Sequence, residues 1–321
     1  MREVVRSMKV GLVFAGGGGR GAYEIGAWKA LKELGIDKHV VAVSGTSIGA
    51  LNATLFIQGN LEVAESVWNN ISIEKILPMD SIEFFFKARM LSLGIKTLSF
   101  IKKHVPQLLE QGKLSREGIL EILDKHIDLD KIQESKIPCY ICCSEVPCLK
   151  AKYFNIQEYD EKTIKSILLA TSAIPSIFEC EELETRKYLD GGLIDNVPVQ
   201  PVYGAGCNII FIIHLSKNES VDRRMFPNAK IIEIIPTDID EGVIDGTLNF
   251  AKEAIKKRIQ QGYDDTLTLL LPILEIAKYQ IEEAQKEDTL MSNINDLMKS
   301  LYSKIRHSII LNNNDNSMDN K

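Results

Sequence analysis

Residues 40–56, VVAVSGTSIGALNATLF, hold the decisive reading: an apolar run at 40–43, the turn GTSIG with Ser47 between Gly45 and Gly49, then an apolar stretch that suits a helix. A strand that turns at once into a helix forces the apex residue into a strained backbone conformation, and small neighbours two positions away on each side relieve the crowding. Ser47 is thereby pushed out of the turn. Its hydroxyl would lie near a helix N-terminus, whose unpaired N–H groups and dipole favour developing negative charge. The geometry suits acyl transfer, with Gly45 and Gly49 shaping a nucleophile elbow. The pattern GxSxG also describes a glycine-lined turn with a solvated serine, so the surrounding sequence has to decide.

Upstream, residues 9–34, KVGLVFAGGGGRGAYEIGAWKALKEL, read as strand, glycine turn and helix. Val10, Leu12, Val13 and Phe14 make a short buried strand, and Ala27, Ala30, Leu31 and Leu34 recur at the spacing of a core-facing helix. Between them, Gly16, Gly17, Gly18 and Gly19 lack β-carbons and let the chain present consecutive backbone N–H groups to an anion. Those are the donors an oxyanion hole requires. Arg20 would steady the loop, meet an acidic head group, or simply stand at the surface.

Gly16, Gly18 and Gly21 also satisfy GxGxxG, the dinucleotide fingerprint. That mechanism needs an acidic residue about 20 positions on, at the tip of the second strand, and this chain offers VVAVSGTSIG there instead. The phosphate-binding P-loop fails as well, because Gly21 is followed by Ala22 and Tyr23 rather than by Lys and Ser or Thr.

A nucleophilic serine needs a base. Of the five histidines only His214 ends a strand, NIIFII, and the order Ser47, Asp190, His214 matches that of an α/β-hydrolase triad. Against the triad, those hydrolases place several strands before the nucleophile, whereas Ser47 follows the second. Asp190, in KYLDGGLIDNVPV, is the better candidate: Tyr188 and Leu189 end a short strand, and Gly191 and Gly192 permit a tight turn that can aim a carboxylate. A free aspartate near pKa ~3.9 is a feeble base toward a hydroxyl, so burial must raise its basicity or the hydrogen bond must tighten in the transition state. An ordinary Asp-Gly turn is the competing reading.

GGGGRG at 16–21, GTSIG at 45–49 and DGG at 190–192 resemble, in order and spacing, the three signatures of the patatin-like phospholipase family. The resemblance spans roughly residues 9–215 and includes LLATSAIPSIFE, similar to the family's segment shortly before its aspartate. It implies an α/β fold, a three-layer α/β/α sandwich with a mainly parallel central sheet, a helical insertion and a helical C-terminal extension. It further implies a lipid acyl hydrolase of phospholipase A or lysophospholipase type, with Ser47 as nucleophile, Asp190 as base and the loop Gly16 to Gly21 as oxyanion hole. Neither a metal nor an organic cofactor is implied. Two other functions remain open: a catalytically weak lipid- or acyl-binding regulator, and a small-ester or thioester hydrolase with a His214-assisted triad.

Composition is consistent with this. The 321 residues are 45% hydrophobic, enough to bury a large core. A net charge of −6 and the lack of a basic arm argue against nucleic-acid binding. The first residues, MREVVRSMKV, lack a long apolar segment and no run approaches a membrane span, so a cytoplasmic location, peripheral at the membrane at most, is expected. Six cysteines, four of them in IPCYICCSEVPC, read as reduced core or strand-end thiols rather than as a zinc site, since no second pair follows at ligand spacing.

The domain expected is a single patatin-like unit over 1–311, with a cap or lid candidate at 71–130, a helical C-terminal part at 247–311 and a disordered tail at 312–321. Residues 81–111 carry Phe84, Phe85, Phe86 and Met90 with an excess of basic over acidic side chains, so they suit either a membrane-contacting lid or two ordinary core-packed helices. Helices are expected at 247–263, at 272–285 with Pro272 at the first position, and around Met291, Ile294, Met298, Leu301 and Ile305, the last docking on the core or, alternatively, offering a partner surface. Partners beyond a lipid or acyl-ester substrate and a transient membrane surface are not indicated, and the sequence leaves the oligomeric state open.

Overall fold

A computed structural model of the chain describes residues 8–76, 115–175 and 177–315. The lid candidate therefore falls largely outside the described residues, as do residues 81–111 and the last six positions of the tail.

Strand β1 (Val10–Phe14) runs through the 3-10 turn Gly18–Gly21 into helix α1 (Ala22–Glu33). Strand β2 (Val40–Thr46) then turns at Ser47 into α2 (Ile48–Ile57), which is followed by α3 (Leu61–Asn70) and the short α4 (Ile73–Ile76). After the undescribed stretch come α5 (Glu117–His126), α6 (Leu129–Glu134), the hairpin β3 (Cys139–Val146) and β4 (Lys150–Asn155), and α7 (Glu161–Thr171). Strands β5 (Glu181–Leu183) and β6 (Arg186–Asp190), α8 (Val199–Gly204), β7 (Ile209–Ile213) and β8 (Lys230–Ile234) complete the sheet.

The eight strands form one mixed sheet. Its centre is parallel, with β1 between β2 and β7, β3 beyond β2 and β8 beyond β7, while β4, β5 and β6 add antiparallel pairings at one side. Parallel central strands are buried on both faces and read as continuous apolar runs, as VGLVF and IIFII do. Adjacent residues of β1 point to opposite layers. Val13 joins Ile210, Ile212, Val199 and Val202 under α8, whereas the Phe14 ring meets Phe56 of α2. Helices on both faces make the three-layer α/β/α arrangement.

A single helix, α9 (Lys252–Asp315), replaces the separate C-terminal helices expected from sequence. It begins five residues later than residue 247, because Val243–Thr247 form a π turn. Pro272 lies inside it rather than starting a new helix: it removes one donor, and strong helix formers on both sides carry the helix on. Residues 252–267 belong to a first unit that includes the whole sheet, and 268–321 form a second. In the first unit α9 crosses α1 backbone to backbone. A β-carbon on Gly26 would collide with the Ile259 carbonyl oxygen, and one on Gly262 with that of Tyr23. In the second unit Met291, Ile294 and Met298 are exposed, and the side chains of Leu301 and Ile305 lie outside the described ones. The helix runs four residues into the expected tail. Among the described residues no helix is long and apolar enough to cross a membrane.

Candidate active site

The sheet brings Ser47 and Asp190 together through β3. One edge of β3 is taken by β4, from Tyr140 opposite Asn155 to Glu145 opposite Lys150. The other edge is shared: β2 runs parallel along residues 139–142 and β6 runs antiparallel along 143–146. Two strands travelling toward each other along one edge meet at their C-terminal ends. Thr46 pairs with Cys142 and Asp190 with Cys143, so Ser47, the residue after β2, faces Asp190. The Ser47 hydroxyl donates to Asp190 Oδ2 at 2.7 Å.

Ser47 has φ 55° and ψ −123°, a conformation that costs a residue with a side chain of order 1–3 kcal/mol. Close packing around the turn enforces it. A β-carbon on Gly49 would lie 2.5 Å from the carbonyl oxygens of Phe14 and Ala15, and one on Gly45 would strike the Gly49 carbonyl. The Ser47 N–H donates to Thr171 Oγ1 at 2.9 Å.

Asp190 is buried, and its Oδ1 accepts the Gly192 N–H at 2.8 Å. Burial pushes its pKa up to about 6, against the opposing pull of the Ser47 and Gly192 hydrogen bonds and of the Arg116 guanidinium. Arg116 is itself held by the Leu169 carbonyl at 2.9 Å and Glu181 at 2.8 Å, over the ring of Phe178.

The glycine loop is braced from three sides. The first bond of its 3-10 turn runs from Arg20 N to Gly17 O at 3.3 Å, which leaves the N–H groups of Gly17, Gly18 and Gly19 outside the turn's own bonding. Gly18 has φ +58°, the left-handed region, and a β-carbon there would meet Thr247. Arg20 steadies the loop, its Nε donating to Gly17 O at 3.2 Å and a terminal nitrogen to Thr247 Oγ1 at 3.2 Å. Gly16 exchanges hydrogen bonds with Asn196, its N–H to the Asn196 carbonyl at 3.0 Å and its own carbonyl to Asn196 Nδ2 at 3.1 Å. Gly21 O accepts from Asn52 Nδ2, which also bonds the buried Glu24, while Trp68 Nε1 donates to Asn52 Oδ1 at 2.9 Å. Burial holds the Glu24 carboxyl well above the ordinary carboxylate range. Gly191 packs where a β-carbon would strike the Cys142 carbonyl, which fixes the turn after Asp190.

His214 is not brought to Ser47. It is fully buried beside β8 with Nε2 3.0 Å from Glu233 Oε2, and burial lowers its pKa. The serine's hydrogen-bond partner is Asp190, so the triad geometry is not formed. All six cysteines are free, with Cys139, Cys142 and Cys143 buried in β3; among the described residues no cluster of His, Cys, Asp and Glu is arranged to hold a metal.

Sequence reasoning singled out the serine, the aspartate and the loop but missed Thr171, Arg116, Asn52, Asn196 and Thr247. Thr171 stands in the LLATS run and Asn196 six residues after Asp190, yet their roles rest on contacts across 124 and 180 residues. No local pattern encodes these.

A serine at a strained strand-to-helix turn is thus bonded to a buried aspartate and flanked by a glycine loop on a mixed α/β/α sheet. Residues 12–203 match the Patatin-like phospholipase family, and the chain belongs to it. It is similar to an uncharacterized NTE family protein of Mycobacterium bovis, 25% identical over 214 residues covering 67% of this chain and 51% of that one. It is also similar to lysophospholipase nte1 of Aspergillus terreus, 28% identical over 204 residues covering 64% of this chain and 12% of that one. This chain thus spans about half the length of the mycobacterial relative. Among solved structures it is similar to VipD from Legionella pneumophila, with a TM-score of 0.48 and 15% identity over 82% of this chain and 66% of that one.

Proposed function

We propose that the protein is a lipid acyl hydrolase that cleaves acyl esters through a Ser47–Asp190 dyad. The observation that carries this reading is the 2.7 Å bond from the Ser47 hydroxyl to the buried carboxylate of Asp190, in a chain of the patatin-like family. Ser47 Oγ attacks the ester carbonyl while its proton passes to Asp190 Oδ2. The tetrahedral oxyanion is held by the backbone N–H groups of Gly17, Gly18 and Gly19, and removing one such donor typically costs about 100- to 1000-fold. Collapse breaks the ester bond, Asp190 returns the proton to the departing alcohol, and the acyl group stays on Ser47. Water, deprotonated by Asp190, then adds to the acyl-enzyme; the Ser47 Oγ–acyl bond breaks, Asp190 returns the proton to Ser47 Oγ, and the fatty acid leaves.

The name lysophospholipase carried by the Aspergillus relative supports a lysophospholipid or phospholipid acyl ester as substrate. The test is mass spectrometry of products from mixed phospholipid, lysophospholipid and acylglycerol vesicles. Fatty acid release by the wild type and its loss in Ser47→Ala is the expected result. Release that survives Ser47→Ala overturns the dyad, and no release by either protein, with vesicle binding retained, favours a lipid-binding regulator.

A further inference from the structure

We infer that Thr171 is a positioning residue for Ser47, and that the turn it begins sets the spacing of the Ser47–Asp190 pair. The inference rests on the dyad reading above and adds a residue to it.

The Thr171 hydroxyl has one proton, and it goes to the Cys142 carbonyl oxygen, 2.5 Å away. Its lone pair is therefore free to accept the Ser47 N–H at 2.9 Å. Cys142 is the residue of β3 that pairs with Thr46, and its successor Cys143 pairs with Asp190, so Thr171 sits where the ends of β2 and β6 meet. Two residues later the Ala173 carbonyl accepts the Asp190 N–H at 3.0 Å. One short turn at the C-terminus of α7 thus holds the backbone of both members of the pair, each by a single hydrogen bond.

Two consequences follow from this arrangement. The Ser47 hydroxyl is directed to Asp190 and caps no amide of α2, while the Thr171 hydroxyl secures the amide of the strained Ser47 backbone. And because the Ser47 N–H is committed to Thr171, it is not a donor to the oxyanion; that task falls to the glycine loop. Thr171 is 1% exposed and turned into the junction, so it acts through the Ser47 backbone rather than on substrate. Without the hydroxyl, the Ser47 N–H and the Cys142 carbonyl would both lose the hydrogen bond that Thr171 supplies, and a shift of the elbow by about 1 Å is enough to cost on the order of 100-fold in rate.

The test compares the wild type with Thr171→Val, which keeps the shape and loses the hydroxyl, and Thr171→Ser, which keeps the hydroxyl. Steady-state hydrolysis of a p-nitrophenyl acyl ester is measured with Ser47→Ala as the blank and thermal unfolding as the folding control. The expected result is a fall in kcat of about 10- to 100-fold for Thr171→Val with KM within about twofold, and recovery to within about threefold of wild type for Thr171→Ser. A Thr171→Val enzyme with wild-type kcat overturns the inference alone. So does a Thr171→Ser enzyme as impaired as Thr171→Val, since the methyl rather than the hydroxyl would then matter. If Thr171→Val does not fold, Thr171→Ser decides: retained kcat supports the hydroxyl, and a tenfold loss overturns it. A wild type with no Ser47-dependent hydrolysis of ester or lipid overturns the dyad reading and this inference together.

Discussion

Asp190 is buried where its charge is costly, and that burial brings its proton affinity close to neutral pH. A general base works best when its pKa lies near the working pH, and about 6 is close enough for Asp190 to be ionised at pH 7 yet still basic. In the proposed dyad, protonation below that value takes Asp190 out of the role of base, so log kcat/KM is expected to fall with unit slope as pH drops through about 6; a flat profile from pH 5 to 7 would exclude Asp190 from the role. The effect on stability runs the other way. The folded pKa lies above the ordinary 3.8, so between these values the folded state holds more protons and stability declines as pH rises. The penalty is complete above about pH 6 and amounts to about 3 kcal/mol. Asp190→Asn keeps an acceptor for Gly192 and removes the charge. It is expected to lower hydrolysis by at least about 1000-fold while raising the midpoint of thermal unfolding by several degrees at pH 7. Activity close to wild type in that variant would refute the assignment.

At the scale of elements, the site depends on how closely β1, β2 and α2 approach. The start of α2 lies against the end of β1 at Gly49, with no room for a β-carbon between backbones. Gly49→Ala must therefore push α2 away from β1 or rotate the elbow. The expected cost is about 1–3 kcal/mol of stability, together with a loss of hydrolysis larger than the loss of folded protein, because Ser47 is the N-cap of the displaced helix. Denaturant unfolding and specific activity per folded molecule check this; unchanged activity at reduced stability would show that the elbow tolerates the shift.

At the scale of the whole molecule, the serine, the aspartate, the glycine loop and the residues that brace them all lie in the unit ending at Leu267. The segment that covers the glycines, with Thr247 and with Arg258 donating to the Asn249 carbonyl at 2.6 Å, is in that unit too. Truncation after residue 267 retains the Gly26 and Gly262 crossing and is expected to keep Ser47-dependent hydrolysis of a soluble ester within a few-fold of the full chain. Loss of activity in a folded truncation would assign residues 268–321 a direct part in the reaction.

By itself the sequence determined the local units: a buried run before GTSIG, another before GGGGRG, and DGG at a strand end. Strand, turn and helix there follow from apolar periodicity and from glycine's lack of a β-carbon, which are properties of neighbouring residues. The continuity of the helix at 252–315 is not legible in the sequence, because a proline suits a helix start and is also tolerated where the helix runs on through it. Only the tertiary structure decided which side chain Ser47 meets. His214 and Asp190 both end strands, but β7 lies beyond β1 while β6 shares the edge of β3 with β2, and hydrogen-bond pairing across the sheet is set by packing among distant segments. For the same reason Thr171, Asn52 and Asn196 stayed hidden: each works through a backbone group that only the folded sheet brings within reach.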